Sequence, residues 1–211
     1  KLDREAALAT EVENELRQDF GGPPSAFFFE NSSNKGKVHK GLFKNSKNSS
    51  VVDGKAYFEN SSAVFGSEVE GILAYNSDIS GTVNGQYARF IGSVSRADVT
   101  AGSTPLFEAG SVNRGTVHSH TEFTSSVNGY DGVVDGNAWF SDGGGNEGTV
   151  TGSADFDQAS NGTQYGGSSA YVGVNATFTG GGGPTGDIVD FFSSSVNYGF
   201  VSGDASFSSG A

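Results

Sequence analysis

Three polar residues, His118, His120 and Glu122, alternate along the segment Thr116–Phe123 and could together bind a metal ion. Alternate residues of a β-strand share one face, and imidazole with carboxylate is a ligand set that suits zinc or copper. Three ligands at this spacing extend about 13 Å along a strand, so Glu122 is expected to be the most distant of the three. The segment therefore predicts His118 and His120 as metal ligands, and the alternative is an ordinary strand with an exposed polar face.

No other set of residues has the arrangement of a catalytic site. The chain contains no Cys and therefore has no thiol nucleophile. None of its serines lies in the Gly-x-Ser-x-Gly pattern of a nucleophile elbow. The glycine-rich segment Gly180–Gly186 is not followed by the Lys of a phosphate-binding loop. We therefore predict that the protein is not an enzyme and that it requires no cofactor.

A repeated phrase, Val-x-Gly-x-Ala-x-Phe, is the strongest pattern in the sequence. Its alternation predicts strands with one buried face of Val, Gly, Ala and Phe. The intervening residues are mostly polar, which favours a sheet with one face in water and hence antiparallel pairing. Full copies begin at Val52, Val134, Val150 and Val201, and looser copies begin at Val69, Val117 and Val172.

The spacing between copies allows two architectures. Several copies are 16 or 17 residues apart, as from Val134 to Val150, which suits either one coil of a β-solenoid or one strand and turn of a meander. The connection Ser141–Glu147 leaves no room for a second strand in each repeat, and the interval from Val150 to Val172 is irregular. We therefore predict an all-β antiparallel meander, a barrel or sandwich of about 10–12 short strands, with a β-solenoid as the alternative. Asn197–Gly199 is expected to be the turn of a final hairpin.

The first 36 residues differ from the rest and are predicted to form an N-terminal arm, with the β domain covering residues 37–211. An amphipathic helix is expected over residues 2–20, because apolar residues recur there every four positions and acids occupy the first turn. The helix lies either on its own β domain or on a neighbouring subunit. The following Phe residues cannot all face one way in a strand. The candidate assembly residues are Leu8, Val12, Leu16, Phe20, Phe27, Phe28 and Phe29.

The small residues of the phrase raise a question about the core. Gly136 with Ala138, and Gly152 with Ala154, would make the middle of the buried face shallow. A helix, a second sheet or a bound apolar ligand could then approach the strand closely. What occupies this shallow strip distinguishes a structural protein from a ligand carrier.

Charge and composition exclude two classes of partner. The formal net charge is −12 and the sequence pI is about 4.5, so binding to nucleic acid or to an anionic membrane surface is disfavoured. No segment approaches the ~20 apolar residues of a membrane span. The chain begins at Lys1 and contains no Met, which suggests a processed form, and its composition predicts a secreted, extracellular protein. Glycosylation candidates are Asn31, Asn48, Asn60, Asn161 and Asn175, each in an Asn-x-Ser/Thr sequence.

Two hypotheses of function follow. The first is a secreted structural protein that assembles with itself as a filament, coat or adhesive subunit, joined through the N-terminal arm and strand edges. The second is an extracellular β-barrel binding module for a small apolar ligand or a glycan. The first follows from the repeats, the Gly/Ser richness and the absence of a catalytic set.

Overall fold

The computed structural model describes residues 26–64, 66–85, 87–100, 102–162, 170–179 and 196–208. These residues form 28 short strands, and every strand pairs in parallel with the strand one coil before or after it. The fold is a β-solenoid, so the prediction of an antiparallel meander, barrel or sandwich is wrong and the alternative architecture is confirmed. Each coil supplies strands to three faces, which we name the Phe, Asn and Val faces after the residue that points inward.

The Phe face contains the longest strands. Most have the pattern of a small residue and a Phe pointing inward, separated by one outward residue. Two of its strands, β5 and β7, also cross the corner into the Val face. The strands are β1 Ala26–Phe29, β3 Gly41–Lys44, β5 Val51–Glu59, β7 Glu68–Tyr75, β10 Ala88–Ile91, β13 Leu106–Glu108, β16 Thr121–Thr124, β19 Ala138–Ser141, β22 Ala154–Asp157, β25 Ala176–Thr179 and β28 Ala205–Ser208.

The Asn face is a separate sheet of ten two-residue strands. Its second residue points inward and is buried in most of the coils. The strands are β2 Ser33–Asn34, β4 Lys47–Asn48, β6 Ser62–Ala63, β8 Asp78–Ile79, β11 Val94–Ser95, β14 Val112–Asn113, β17 Val127–Asn128, β20 Gly145–Asn146, β23 Ser160–Asn161 and β26 Val196–Asn197.

The Val face completes each coil and is joined to the Phe face in one 18-stranded sheet, because β5 and β7 belong to both. A parallel bridge from Val38 to Val52 precedes them. The remaining strands are β9 Thr82–Val83, β12 Asp98–Val99, β15 Thr116–Val117, β18 Val133–Val134, β21 Thr149–Val150, β24 Tyr171–Val172 and β27 Phe200–Val201.

A column of stacked Phe rings fills the interior beside the Phe face. From Phe90 to Phe156 five consecutive rings have centroids 4.6–4.9 Å apart and are nearly parallel. This distance equals the strand spacing, so parallel pairing in register places identical side chains directly above one another. The rings are at most 1% exposed, and burial of a Phe contributes about 1.5–3 kcal/mol. Repetition of one apolar residue per coil therefore builds the core.

One coil departs from this column. Ala74 lies in register between Phe58 and Phe90, where the other coils have Phe. The same strand has Ile72 at the inward position that is Ala56 in the preceding coil and Ala88 in the next. Ile72 and Ala74 are both buried, so the larger side chain has moved two residues along the strand.

Serine residues form the corner between the Phe face and the Asn face. The residue before the Ser often has a positive φ, as in Asn45, Asn60 and Asn76, and Asn tolerates this left-handed conformation better than most residues. The backbone N–H of each Ser donates to the hydroxyl of the Ser one coil further on, at 3.0–3.2 Å. These bonds satisfy buried groups where the strand pairing is interrupted. The column consists of Ser46, Ser61, Ser77, Ser93, Ser111 and Ser126.

The inward Asn residues form a hydrogen-bonded ladder beneath the Asn face. The Nδ2 of each Asn donates to the Oδ1 of the Asn one coil further on, at 2.8–2.9 Å. The ladder is interrupted by Ala63, Ile79 and Ser95, and these three positions are also buried. The uninterrupted part comprises Asn113, Asn128, Asn146, Asn161 and Asn197.

Other sequence expectations are revised by this topology. The connection Ser141–Glu147 contains β20, because a strand of the Asn face needs only two residues. The C-terminal segment is not a hairpin, since β27 and β28 pair in parallel with β24 and β25. No helix occurs in the described ranges, and the helix predicted for residues 2–20 lies outside them. The first coil begins with β1 and β2, inside the segment assigned to the N-terminal arm, and these strands pair with β3 and β4.

Candidate functional site

The repeated phrase spans a corner of the solenoid. Val134 and Val150 end strands of the Val face, and Ala138 and Ala154 begin strands of the Phe face. The Gly between them lies where the chain turns and passes close to the neighbouring coil. A Cβ at Gly152 would lie 2.4 Å from the Asn137 Oδ1 and 2.6 Å from the Gly136 carbonyl oxygen. The glycines therefore allow two coils to approach each other, and the shallow strip expected from the sequence does not form.

The interior of the described coils is filled by side chains. The inward Val and Phe side chains are 0–1% exposed over most of the stack, and Ala138 and Ala154 are 2% and 1% exposed. A β-barrel lumen is also absent from this topology. The β-barrel of the second hypothesis therefore does not form in the part of the chain described, and binding of a small apolar ligand or a glycan stays a prediction.

The predicted metal ligands occupy a bend. The strand β15 ends at Val117 and β16 begins at Thr121, so His118 and His120 lie at the corner between the Val and Phe faces and not on one straight strand. Val117, Thr121 and Phe123 point inward, as expected. Glu122 lies on the outer side of the Phe face, in register with Trp139.

His118 is close to two carboxylates that the sequence analysis did not connect with it. Its Nε2 is 2.9 Å from the Asp98 Oδ1, and its Nδ1 is 3.5 Å from the Asp135 Oδ2. All three side chains are well exposed, at 40–60%. Within the described residues no group of three or more His, Cys, Asp or Glu is arranged to hold a metal ion. Metal binding by His118 and His120 stays a prediction.

The five glycosylation candidates differ in accessibility. Asn48 and Asn161 are 0% exposed and belong to the Asn ladder, where their amides bond to neighbouring side chains. The other three, Asn31, Asn60 and Asn175, lie at exposed positions. A folded chain therefore offers three of the five to a glycosylating enzyme.

The candidate assembly residues fall into two groups. Phe28 stacks inward on Phe43 at 4.7 Å. Phe27 and Phe29 are 55% and 48% exposed on the outside of β1, and their rings stack at 6.2 Å. The remaining candidates, Leu8, Val12, Leu16 and Phe20, lie outside the described residues.

Exposed aromatic pairs occur near both ends of the described stack. Phe27 and Phe29 lie on its first strand, and Tyr171 and Phe200 lie on the last two strands of the Val face. The Tyr171 and Phe200 rings stack at 5.6 Å and are 36% and 61% exposed. Exposed aromatic rings are enriched at surfaces that bind other proteins.

Charge is distributed unevenly along the axis of the stack. Residues 35–55 contain six Lys and one acid, whereas residues 115–211 contain ten acids and no Lys or Arg. Lys37 and Lys44 form ion pairs, with the Lys37 Nζ 3.0 Å from the Asp53 Oδ2 and the Lys44 Nζ 3.0 Å from the Glu59 Oε1. The Lys37 ammonium, through its hydrogen bond and its charge, lowers the pKa of the Asp53 carboxyl below its usual value. The first coils are therefore basic and the later coils are acidic.

Comparison with known proteins adds no assignment, since no protein-family model, curated protein or solved structure matches this chain. Within the described ranges, no helix is both long enough and apolar enough to cross a membrane. The features that sequence reasoning missed are the Ser and Asn columns. A signal was available, because Ser follows the Phe by three residues and Asn by five in Phe43-Lys44-Asn45-Ser46-Lys47-Asn48.

Proposed function

We propose that this protein is a secreted structural subunit that assembles with copies of itself, end to end along the axis of the solenoid. The observation that carries the proposal is the charge asymmetry of the stack, with basic coils at one end and acidic coils at the other. A polar rod of this kind attracts a second copy head to tail, and a head-to-tail contact that does not close continues as a filament. Complementary charges also steer the encounter and fix its orientation.

The geometry of the terminal strands supports the same contact. The first described strand of the Phe face, β1, and the last, β28, each have an inward Phe packed against the core, Phe28 and Phe207. An outermost strand carries backbone groups that another chain can pair with. Stacking β28 of one copy on β1 of the next would continue both the column and the strand spacing.

Sedimentation velocity of the purified chain at low and high salt tests the proposal. We expect association that increases with concentration and weakens with salt, because the Debye length shrinks to about 8–10 Å near physiological ionic strength. Electron microscopy of the associated material should show rods with the solenoid axis along their length. A chain that sediments as a monomer at every concentration and salt level contradicts self-assembly.

Charge reversal at one end identifies the joint. Lys35→Glu changes the basic end, and Arg114→Glu makes the same change of charge at an exposed position in the middle of the stack. We expect Lys35→Glu to weaken association several-fold more than Arg114→Glu, since an exposed charge pair is worth about 0.2–1 kcal/mol. Adding Asp204→Lys at the acidic end should restore part of the loss. Equal effects of Lys35→Glu and Arg114→Glu on association would show that the subunits do not contact each other through the ends of the stack.

A further inference from the structure

A cluster of apolar side chains is buried on the outer side of the Phe face. Tyr57, Leu73 and Ile91 form its centre, and Leu42, Tyr75 and Tyr87 pack against them. We call these six residues the outer apolar patch. They belong to outward positions, since the inward positions of the same strands hold the Ala and Phe columns.

Exposure along one outward column shows that the patch is covered. In register along the stack, this column runs from Phe27 through Tyr57, Leu73 and Arg89 to Trp139. Phe27 is 55% exposed and Trp139 is 41% exposed, whereas Tyr57, Leu73 and Arg89 are only 4–6% exposed. Burial is therefore confined to three successive coils in the middle of the column.

Neighbours in the column do not explain this burial. Coils are about 4.8 Å apart, so stacked side chains cover each other's flanks and leave their outer ends in water, as Trp139 shows. An outward Tyr at 4% exposure requires another element lying across it. These are the exposures of a single chain, so the covering element belongs to the same chain. Tyr57, Tyr87 and Arg89 also each take part in a hydrogen bond, ion pair or ring contact.

Reach along the chain identifies the covering segment. Residues 1–25 join the stack at Ala26, three coils or about 15 Å from Leu73, and 25 residues span this distance easily. The described residues on either side of 163–169 and of 180–195 lie in later coils, toward the other end of the stack. The longer of these segments starts six coils or about 29 Å from Leu73, and a loop of sixteen residues that must return extends only about 27 Å.

The chemistry of residues 1–25 matches the patch. Leu8, Val12, Leu16 and Phe20 are apolar side chains at a constant spacing of four, and acids lie between them at Glu11, Glu13, Glu15 and Asp19. Beside the patch, the Arg89 guanidinium is 6% exposed and bonds to the Glu108 carboxylate. A buried guanidinium is stabilised by nearby carboxylates. We infer that residues 1–25 lie on the outer apolar patch of their own chain.

Photo-crosslinking of the full-length chain tests this inference. The variant Tyr57→p-benzoylphenylalanine keeps an aromatic side chain at the centre of the patch, and Trp139→p-benzoylphenylalanine is the matched control in the same column. After irradiation, peptide mass spectrometry is expected to find adducts to residues 1–25 from position 57 and none from position 139. Adducts from position 57 to any other segment, or equal adducts from both positions, would overturn the inference.

A mixture of isotope-labelled and unlabelled chains distinguishes a chain's own segment from that of a second copy. Adducts joining two labelled or two unlabelled peptides are expected, and mixed adducts would overturn the assignment to the same chain. If the position 57 variant loses the circular dichroism of its β-sheet, Leu42→p-benzoylphenylalanine replaces it, because Leu42 lies at the partly exposed edge of the patch. The same adducts to residues 1–25 are expected from position 42, and their absence would count against the inference. The measurement uses the monomer fraction, so its outcome does not depend on self-assembly.

Discussion

Removing one amide from the middle of the Asn ladder should destabilise the solenoid more than removing one from its edge. Asn128 is 0% exposed, accepts a bond from the Asn113 Nδ2 and donates to the Asn146 Oδ1, both at 2.9 Å. Its Nδ2 also lies 3.2 Å from the Thr149 carbonyl oxygen and 3.3 Å from that of Gly132. Asn128→Ala therefore removes bonds to two coils at once.

The size of the effect follows from the groups left behind. Asn128→Ala leaves a buried donor on Asn113 and a buried acceptor on Asn146 short of a partner. Each such group costs about 1–3 kcal/mol, and the Asn113 Nδ2 keeps only a 3.3 Å contact to the Gly115 carbonyl oxygen. We expect a loss of about 2–5 kcal/mol in the free energy of unfolding, against a typical total of about 5–15 kcal/mol.

Asn48→Ala is the matched control. Asn48 is also 0% exposed, but its neighbour further along the stack is Ala63, so only the side-chain bond to Asn34 is lost from the ladder. We expect about half the cost of Asn128→Ala, or roughly 1–3 kcal/mol. Urea unfolding followed by circular dichroism and by the fluorescence of Trp139, the single Trp of the chain, measures both variants.

A triple variant separates unsatisfied polar groups from lost packing. Replacing Asn113, Asn128 and Asn146 together by Ala also removes the neighbouring amides that a single change would leave without a partner. The natural sequence does the same at Ala63 and Ile79, where two successive coils have no Asn in the ladder position. Its cost should be smaller than the sum of the three single costs. The reasoning would be refuted if the cost of the triple variant equalled the sum of the three single costs. It would also be refuted if Asn128→Ala were as stable as Asn48→Ala or more stable.

Three further predictions concern the other columns and the surface. Ala74→Phe should lower the free energy of unfolding by about 1–3 kcal/mol through overpacking, and Ile72→Ala in the same chain should recover part of this loss because total side-chain volume is then conserved. The urea midpoints of the single and double variants measure the recovery. A double variant no more stable than Ala74→Phe alone would contradict the compensation. Gly152→Ala should lower the melting temperature because its Cβ meets backbone at 2.6 Å, whereas Gly36→Ala, with nothing within 4 Å, should not; equal melting temperatures would count against close approach of the coils at that corner. In a eukaryotic secretory host, mass spectrometry should find glycans only at Asn31, Asn60 and Asn175, and a glycan on Asn48 or Asn161 in folded protein would show that these side chains are not buried.

The inward positions were predictable from the sequence, whereas the topology was not. Alternation in the repeated phrase correctly placed Val134, Ala138 and Phe140 inside, because side-chain alternation is local. Parallel and antiparallel pairing both satisfy this alternation, and the deciding evidence lay in the connection after Phe140. There, β20 is a strand of two residues, too short to show any periodicity.

The outer surface was still harder to predict. His118 lies near Asp98 and Asp135 because successive coils stack, and neighbours of this kind are 17 to 20 residues away in sequence. The uneven distribution of Lys and acids can be read from the sequence. That it separates the two ends of a rod follows only from the structure, in which the coils stack in chain order. Burial of Tyr57 depends on what lies across the Phe face, and alternation within one strand carries no such information.

The same three faces recur from coil to coil, so the number of coils sets the length of the stack. From Ala138 to Ala154 one coil takes sixteen residues and advances the axis by about 4.8 Å. Duplication or loss of one such unit in the gene would lengthen or shorten the rod by a fixed step and leave its faces, columns and corners in register. Variation in the length of such a stack is therefore expected to arise in whole coils, which makes repeat number the heritable quantity that controls this length.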